Sequence, residues 1–516
     1  MKKRILGLLM AAVMLCCAAL VQAEAPVEIN WLGYYTSDLT ISADTPVEKF
    51  LEDKFNVSIN PITDISKSGF GLYVASTDIL NATFYTIYLD NAKNLQEMYD
   101  QGLIREVPEE WLDEYYPTGM KYLKDFLGED YFTSGNHLKN GKLLNIPYTK
   151  TENNSQSVIV YRKDWLEHLN LAVPTTLDEF HDMLYAFTYN DPDGNGVNDT
   201  YGMDASTAWV GMWMIYGSYG FAQHQSAKCG SFYKNEDGTV TYTSVTDAYQ
   251  QALALIAQWY AEGILDPECI TDSRADIRTK WSNGSIGAMV DSFTWTLSKR
   301  SSSSVIGMVE DIFGENTVGV LGKLACETGD GTVYASKNYP ETNVNQSIVF
   351  TAGATDEQVI RTLQILEALS ADDDAYKYII FGENGVDYTV ADDGQICVNP
   401  SVSVEYQAGK GLGDTFYGLA MCSPELTYCT YSTRDRENLA MTEESPVVYR
   451  NTNFSDVTNE AYLTYFEEVK KVEAEFYTDV LLGRKDVHDD WSGYVEKMNK
   501  AGLSRIIEEY EQLLAQ

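Results

Sequence analysis

The chain has 516 residues, of which 44% are hydrophobic and 12% aromatic, and its formal net charge is -39. This hydrophobic content excludes an intrinsically disordered chain, and the acidic surface excludes nucleic acid and anionic lipid as partners because like charges repel. The length is sufficient for two or three compact units.

The first 23 residues have the pattern of an export signal. Residues 2–4 are basic, residues 5–21 form an almost unbroken apolar run, and residues 21–23 place small side chains where a signal peptidase cuts. The run is close to the lower length limit of a spanning helix, so an N-terminal membrane anchor is the alternative. We predict a signal peptide over residues 1–23 and a secreted, extracytoplasmic product of charge -42, since three basic residues leave.

Cysteine and histidine are scarce and do not suggest a metalloenzyme. Cys16 and Cys17 lie inside the apolar run, but residues 13–15 lack the small side chains that precede a lipidated cysteine, so a soluble product is favoured over a lipid-anchored one. The six later cysteines leave disulfide pairing open. The five histidines are scattered without the spacing of zinc ligands.

Strands and helices alternate from the start of the mature chain. Residues 27–32 alternate between apolar and polar side chains, as a half-buried strand does. Thr45 predicts a helix start, with proline at the next position and Glu48 three residues after the cap. Residues 57–59 predict the next strand. The order of strand, helix and strand indicates an α/β fold.

The same signals recur further along the chain. Thr176 with Glu179 predicts a second capping box, and Thr355 with Gln358 predicts a third. Gly263 is typical of the residue that follows a helix C-terminus. The apolar stripes of these helices are interpreted as core-facing, and no linker rich in proline or serine separates independent domains.

Residues 157–202 contain YRKDWL, VPTTLDEF and DPDGNG in this order, and this region resembles the extracellular solute-binding proteins of family 1. The similarity is to their large oligosaccharide-binding branch, and it continues in LYVASTDILNATF, YAEGILDPE, GSIGAMVDSFTW and WSGYVEKMNKAGL. Because several segments agree in order, the resemblance covers nearly the whole mature chain.

The resemblance implies a two-lobed periplasmic-binding-protein fold of the type II kind. Each α/β lobe is then discontinuous in sequence, hinge strands join the lobes, and a ligand binds in the cleft between them. The implied first lobe contains residues 26–150 and 325–390, and the second contains residues 151–324 and 391–516. The implied hinge closure would capture a ligand without chemical change.

The loop from residue 191 to residue 199 resembles a calcium-binding EF-hand loop. Oxygen-bearing side chains occupy the first, third, fifth and ninth positions, with glycine at the sixth and a backbone carbonyl at the seventh, as Ca²⁺ requires. The twelfth position is Gly202, so the usual bidentate glutamate is missing, and a polar turn is the alternative. The predicted ligands of a structural Ca²⁺ are Asp191, Asp193, Asn195, Val197 and Asp199.

Aromatic side chains are the predicted sugar contacts. By resemblance to maltodextrin-binding proteins, Trp295 lies against the sugar, since a broad indole packs well on the apolar face of a pyranose. Asp291 and Asn154 are candidates for hydrogen bonds to hydroxyls. For four further aromatic residues a role in the core is an equal alternative; they are Tyr148, Trp209, Trp213 and Tyr216.

The resemblance implies the substrate-binding component of an ABC importer, a monomer that delivers an oligosaccharide to permease subunits and is not an enzyme. One alternative is a secreted glycoside hydrolase, which needs two carboxylates that flank the scissile bond. Neither a GxSxG nor an HExxH motif is present. Another alternative is a binding module that senses its ligand. Neutral and acidic sugars both remain open.

Overall fold

The chain divides into two compact units, each assembled from separated segments. Unit 1 consists of residues 1–150, 345–389 and 398–423, and unit 2 of residues 151–344, 390–397 and 424–516. The structure is a computed structural model that describes residues 25–33, 42–63, 72–74, 76–88, 95–132, 137–148, 158–204, 212–221, 230–235, 237–291, 294–297, 304–322, 324–327, 333–335, 346–413, 416–443 and 459–515. The predicted signal peptide lies outside these residues. Among them, no helix combines the length and the apolar character needed to cross a membrane.

Both units are mixed α/β structures. In chain order the strands are β1 Val27–Leu32, β2 Val57–Pro61, β3 Phe84–Tyr88, β4 Leu138–Lys139, β5 Lys142–Leu143, β6 Ile146–Tyr148, β7 Val158–Arg162, β8 Tyr201–Met203, β9 Phe232–Lys234, β10 Val240–Tyr242, β11 Ile286–Asp291, β12 Val318–Leu321, β13 Ala325–Glu327, β14 Val333–Ala335, β15 Gln346–Phe350, β16 Tyr388–Val390 and β17 Ile396–Val398. The α-helices are α1 Pro46–Phe55, α2 Leu95–Asp100, α3 Glu109–Tyr115, α4 Pro117–Leu127, α5 Lys163–His168, α6 Leu177–Tyr189, α7 Trp213–Ser218, α8 Asp247–Ala261, α9 Arg274–Asn283, α10 Gly307–Phe313, α11 Asp356–Ala371, α12 Asp373–Phe381, α13 Val404–Lys410, α14 Thr433–Glu443, α15 Glu460–Leu481, α16 Trp491–Ala501 and α17 Leu503–Leu514.

Unit 1 contains a five-stranded sheet in the order β2-β1-β3-β15-β6. Strand β1 is parallel to β2 and β3, whereas β15 is antiparallel to β3 and β6. Val359, Leu363 and Leu366 of α11 share a buried cluster with Ile29 and Phe84 of the sheet. The 3.6-residue spacing of the helix side chains therefore matches the face that they bury.

Unit 2 contains a four-stranded sheet in the order β12-β7-β11-β8, in which β7 is antiparallel to both β12 and β11. Alternate residues of the sheet enter two different hydrophobic clusters. Ile159 and Val290 pack with α6 on one face, and Val160 and Met289 pack with α9 on the other. All six residues of β11 are buried as a result. The predicted two-lobed α/β fold class is confirmed.

The units differ from the predicted lobes at two places. Residues 325–344 belong to unit 2, where the amide of Ala325 donates to the carbonyl of Thr175. Residues 398–423 belong to unit 1 instead, since the indole of Trp31 donates to the carbonyl of Phe416 at 3.0 Å. The two hydrogen bonds join residues far apart in sequence, which local patterns do not reveal.

Three predicted helix starts are present. Thr45 caps α1 in a reciprocal box with Glu48, and Thr355 caps α11 in the same way with Gln358. Thr176 caps α6, but the side chain of Glu179 accepts from Thr175 rather than from the cap residue. Gly263 follows α8 with a positive φ of 74°, as the predicted helix end requires.

A half-buried lysine contacts four carboxylates in unit 2. The ammonium of Lys280, on α9, lies 2.8 Å from Asp266, 3.0 Å from Glu268, 2.6 Å from Asp272 and 3.4 Å from Asp204 at the end of β8. Although burial disfavours its charged form, hydrogen bonds to these carboxylates hold the pKa of Lys280 above its ordinary value. One cation therefore joins β8, the turn after α8 and α9.

Lys280→Met should lower the free energy of unfolding by about 3 to 5 kcal/mol, because it leaves buried carboxylates without their counter-ion. Thermal and urea unfolding will measure the change. The control is Lys500→Met, which removes an exposed ion pair with Glu496 and should change the free energy of unfolding far less. Equal losses in the two variants would contradict a stabilising role for the Lys280 ammonium.

The same cluster predicts a pH dependence. Burial, followed by the neighbouring carboxyl group of Asp272, raises the pKa of Asp204 to about 8 from its ordinary value of 3.8. The folded chain then retains a proton that the unfolded chain releases, so stability falls as the pH rises between these values. Asp204→Asn, which cannot titrate, should flatten this part of the stability curve. Unfolding measured from pH 4 to pH 8 would show an unchanged slope if Asp204 were ionised throughout.

Candidate functional site

The predicted calcium loop follows α6 and brings its oxygen-bearing side chains together. The amide nitrogen of the Asn195 side chain donates to Asp193 at 2.9 Å and to Asp199 at 3.2 Å. The carboxylate of Asp191 accepts from the backbone amide of Gly196 at 3.0 Å. Gly194 and Gly196 adopt positive φ angles of 70° and 80°, which glycine adopts at little cost.

The chemistry of this loop fits a hard cation. Three carboxylates and an amide oxygen are the ligand types that Ca²⁺ prefers. The Oδ1 atom of Asp191 is buried and, within the described part of the chain, has no hydrogen-bond partner. Among the described residues, no lysine or arginine forms an ion pair with Asp191, Asp193 or Asp199. The negative charges of these three carboxylates are therefore not neutralised by a basic side chain of that part of the chain.

A second group of carboxylates is less suited to a metal. Asp204, Asp266 and Asp272 offer oxygens within 4.8 Å of one another, and all three side chains are buried. The ammonium of Lys280 already contacts each of them. Because a bound cation would meet this positive charge, we attribute the group to stability rather than to metal binding.

The end of β11 carries a charged cluster, of which the sequence predicted only Asp291 as a functional residue. Asp291 is fully buried, and each of its oxygens lies 2.6 Å from a terminal nitrogen of one guanidinium, that of Arg274 or that of Arg278. Both carboxylate oxygens are therefore already engaged, and the arginines are the more exposed members. The spacing of Arg274 and Arg278, four residues apart on α9, was the signal in the sequence.

Trp295 lies four residues beyond this cluster, in a short 3₁₀ helix at Thr294–Leu297. The structure describes the backbone of Trp295 but not its side chain. The same is true of Trp213, the first residue of α7. Trp209 and Asn154 lie outside the described residues. The roles of these four residues in ligand binding stay predictions.

Two other predicted contacts are core residues of different units. Tyr148, at the end of β6, belongs to the main hydrophobic cluster of unit 1. Tyr216, on α7, is fully buried in unit 2, where its ring stacks on Tyr249 at 5.9 Å. Burial raises the pKa of Tyr216 well above its ordinary value. For both tyrosines the structure favours the core role over sugar contact.

The known proteins to which this chain is similar include sugar-binding proteins. The polygalacturonan/rhamnogalacturonan-binding protein YtcQ of Bacillus subtilis is 24% identical over 377 residues, which cover 70% of this chain and 68% of that protein. The ABC-transporter substrate-binding protein FusA of Streptococcus pneumoniae, solved in complex with kestose, is 16% identical, with a TM-score of 0.65 and coverage of 95% of this chain and 99% of FusA. FusA was also solved as an EF-hand mutant.

The fold is shared as well with the alginate-binding protein AlgQ2, solved without calcium ion. This structure is 17% identical, with a TM-score of 0.62, and the match covers 96% of this chain and 99% of AlgQ2. The family model for bacterial extracellular solute-binding proteins matches residues 36–321, more than half of the sequence. The chain belongs to the bacterial extracellular solute-binding proteins.

Proposed function

We propose that this protein is the extracytoplasmic substrate-binding component of an ABC importer and that its ligand is an oligosaccharide. The observation that carries the proposal is the family match over residues 36–321, together with relatives whose names describe sugar binding. FusA, which shares the fold, was solved with kestose bound. On this proposal the protein captures the sugar without converting it, and its partners are permease subunits.

We also propose that the protein is exported from the cytoplasm. Residues 1–23 act as a signal peptide, and the mature protein works outside the cytoplasm as a soluble monomer. The family description as extracellular supports this location. A strongly acidic surface keeps such a protein soluble and separate from nucleic acid and anionic lipid.

On this proposal, the sugar binds by stacking on aromatic side chains and by hydrogen bonds to its hydroxyl groups. Trp295 is the proposed stacking residue, with Trp209 and Trp213 as further candidates. The resemblance described above implies that two lobes close on the bound sugar, which gives the closed state the higher affinity and shifts the population toward it.

Trp295→Ala should weaken oligosaccharide binding by about 1 to 3 kcal/mol, the scale for loss of one large apolar contact. Its melting temperature without sugar should change little, because a ligand contact does not support a core. Calorimetry with kestose and other oligosaccharides will measure affinity, and product analysis of the same mixtures will test for turnover.

The matched control is Trp111→Ala, which removes the same side chain from α3 in unit 1, where Trp111 packs against the core. This control should lower the melting temperature and leave the affinity unchanged. Unchanged affinity in the Trp295 variant would place that residue in the core. Cleaved sugar would favour a glycoside hydrolase over a transport protein.

We also propose that the loop at residues 191–199 binds a structural Ca²⁺. The side chains of Asp191, Asp193, Asn195 and Asp199 and the carbonyl of Val197 would hold the ion. The buried Asp191 oxygen without a hydrogen-bond partner in the described region supports this assignment. When bound, the ion would neutralise the loop carboxylates and fix the chain after α6.

EDTA should lower the melting temperature of the protein and added Ca²⁺ should restore it, because an ion bound only to the native state stabilises that state. Asp193→Ala should abolish this response. The control is Asp237→Ala, in a turn where Asp237 accepts from the amide and the hydroxyl of Thr239; this variant should keep the response. If neither EDTA nor Ca²⁺ changes the melting temperature of the wild type, the loop is a polar turn and not a Ca²⁺ site.

A further inference from the structure

The 3₁₀ helix that contains Trp295 is too short to fix its own position. It has four residues, Thr294–Leu297, and 3₁₀ helices of this length have poor hydrogen-bond geometry and little stability in isolation. A sugar that stacks on Trp295 nevertheless needs the ring in a defined place, because the cost of ordering a side chain at the moment of binding is lost from the affinity. Contacts from other parts of unit 2 must therefore hold this helix.

One of these contacts is a backbone hydrogen bond to the residue that follows Trp295. The amide of Val305 donates to the carbonyl of Thr296 at 2.9 Å. Val305 and Thr296 are both fully buried, so water cannot replace this bond unless the structure opens locally. The position of Val305 therefore determines the position of the turn on which Trp295 lies.

Val305 is held in turn by a tryptophan of α9. The indole Nε1 of Trp281 donates to the carbonyl of Val305 at 2.6 Å. Trp281 is fully buried, and it shares a hydrophobic cluster with Val305 and with Leu297, the last residue of the 3₁₀ helix. A hydrogen-bonded path thus leads from α9, which packs on the unit 2 sheet, through Val305 to the helix of Trp295.

The hydrogen bond of Trp281 is not a general requirement of buried indoles in unit 2. Trp165 and Trp259 are buried there as well, yet their Nε1 atoms have no hydrogen-bond partner among the described residues. Unit 2 therefore tolerates a buried indole that donates no hydrogen bond. At Trp281 the donor is used, and the carbonyl that it engages belongs to the segment that holds the helix of Trp295.

We propose that Trp281 is a positioning residue of the sugar-binding site. It does not contact the sugar; it holds Val305, and Val305 holds the 3₁₀ helix in the arrangement in which Trp295 receives the ligand. This inference rests on the proposed function and adds to it a residue that acts through Trp295. Because linked equilibria are reciprocal, bound sugar must also stabilise the hydrogen bond between Val305 and Thr296.

Trp281→Phe removes the indole donor and keeps an aromatic ring in the cluster. By calorimetry, it should weaken binding of kestose or trigalacturonate, whichever the wild type binds more tightly, about three- to tenfold, the scale of one net hydrogen bond. The decisive comparison is the double variant with Trp295→Ala. In that background Trp281→Phe should cause no further loss of affinity, because the side chain that Trp281 positions is absent.

The matched control is Trp259→Phe, which makes the same change at a buried indole without a hydrogen-bond partner in the described part of unit 2. This variant should keep the wild-type affinity. Wild-type affinity in Trp281→Phe, or an equal loss in the presence and absence of Trp295, would overturn the inference. The proposed function would stand in either case, because the wild type binds the sugar.

Hydrogen exchange of the wild type gives a second test, which does not depend on the folding of a variant. Mass spectrometry should show that bound sugar slows the exchange of the Val305 amide, which donates to Thr296. Unchanged exchange at Val305 with sugar bound would contradict the positioning role. If the wild type binds neither kestose nor trigalacturonate, the proposed oligosaccharide function and the role of Trp281 both fail.

Discussion

The burial of the unit 2 sheet on both faces is the constraint on which the rest of that unit depends. Helix α6 covers one face and α9 the other, so every residue of β11 lies in the interior. A Cβ atom at Gly287 would lie 2.3 Å from the ring of Phe187, which shows how closely strand and helix approach. A charged residue at the end of such a strand requires partners, and α9 supplies them as Arg274 and Arg278.

Local signals predicted the elements of the fold but not the way in which distant segments combine. The caps at Thr45 and Thr355 depend on side chains three residues apart, so the sequence alone reveals them. The membership of residues 398–423 in unit 1 depends on contacts such as that of Phe416 with Trp31, which are 385 residues apart. No periodicity in the sequence encodes a contact of that kind, so the predicted lobes and the observed units differ there.

In the candidate site as well, local features were predictable from the sequence and contacts between separate elements were not. The convergence of oxygen-bearing side chains in the loop at residues 191–199 was predictable because they follow one another in a single turn. The partners of Asp291 and the enclosure of Tyr216 were not predictable, since each depends on side chains from other elements of unit 2. Acidic clusters are equally ambiguous in sequence. Asp191 and Asp204 both lie near other carboxylates, but only the structure shows that Lys280 forms an ion pair with Asp204.

The discontinuity of both units has a consequence for how the chain acquires its structure. The indole of Trp31 in β1 finds its acceptor only after residue 416 has been synthesised, and the core of unit 2 includes residues of α17 near the C-terminus. Neither unit can reach its native state while a large part of the polypeptide is still on the ribosome. Contacts of such high sequence separation slow folding. During synthesis both cores therefore remain incomplete, so the stability of each unit arises only after most of the chain has been made.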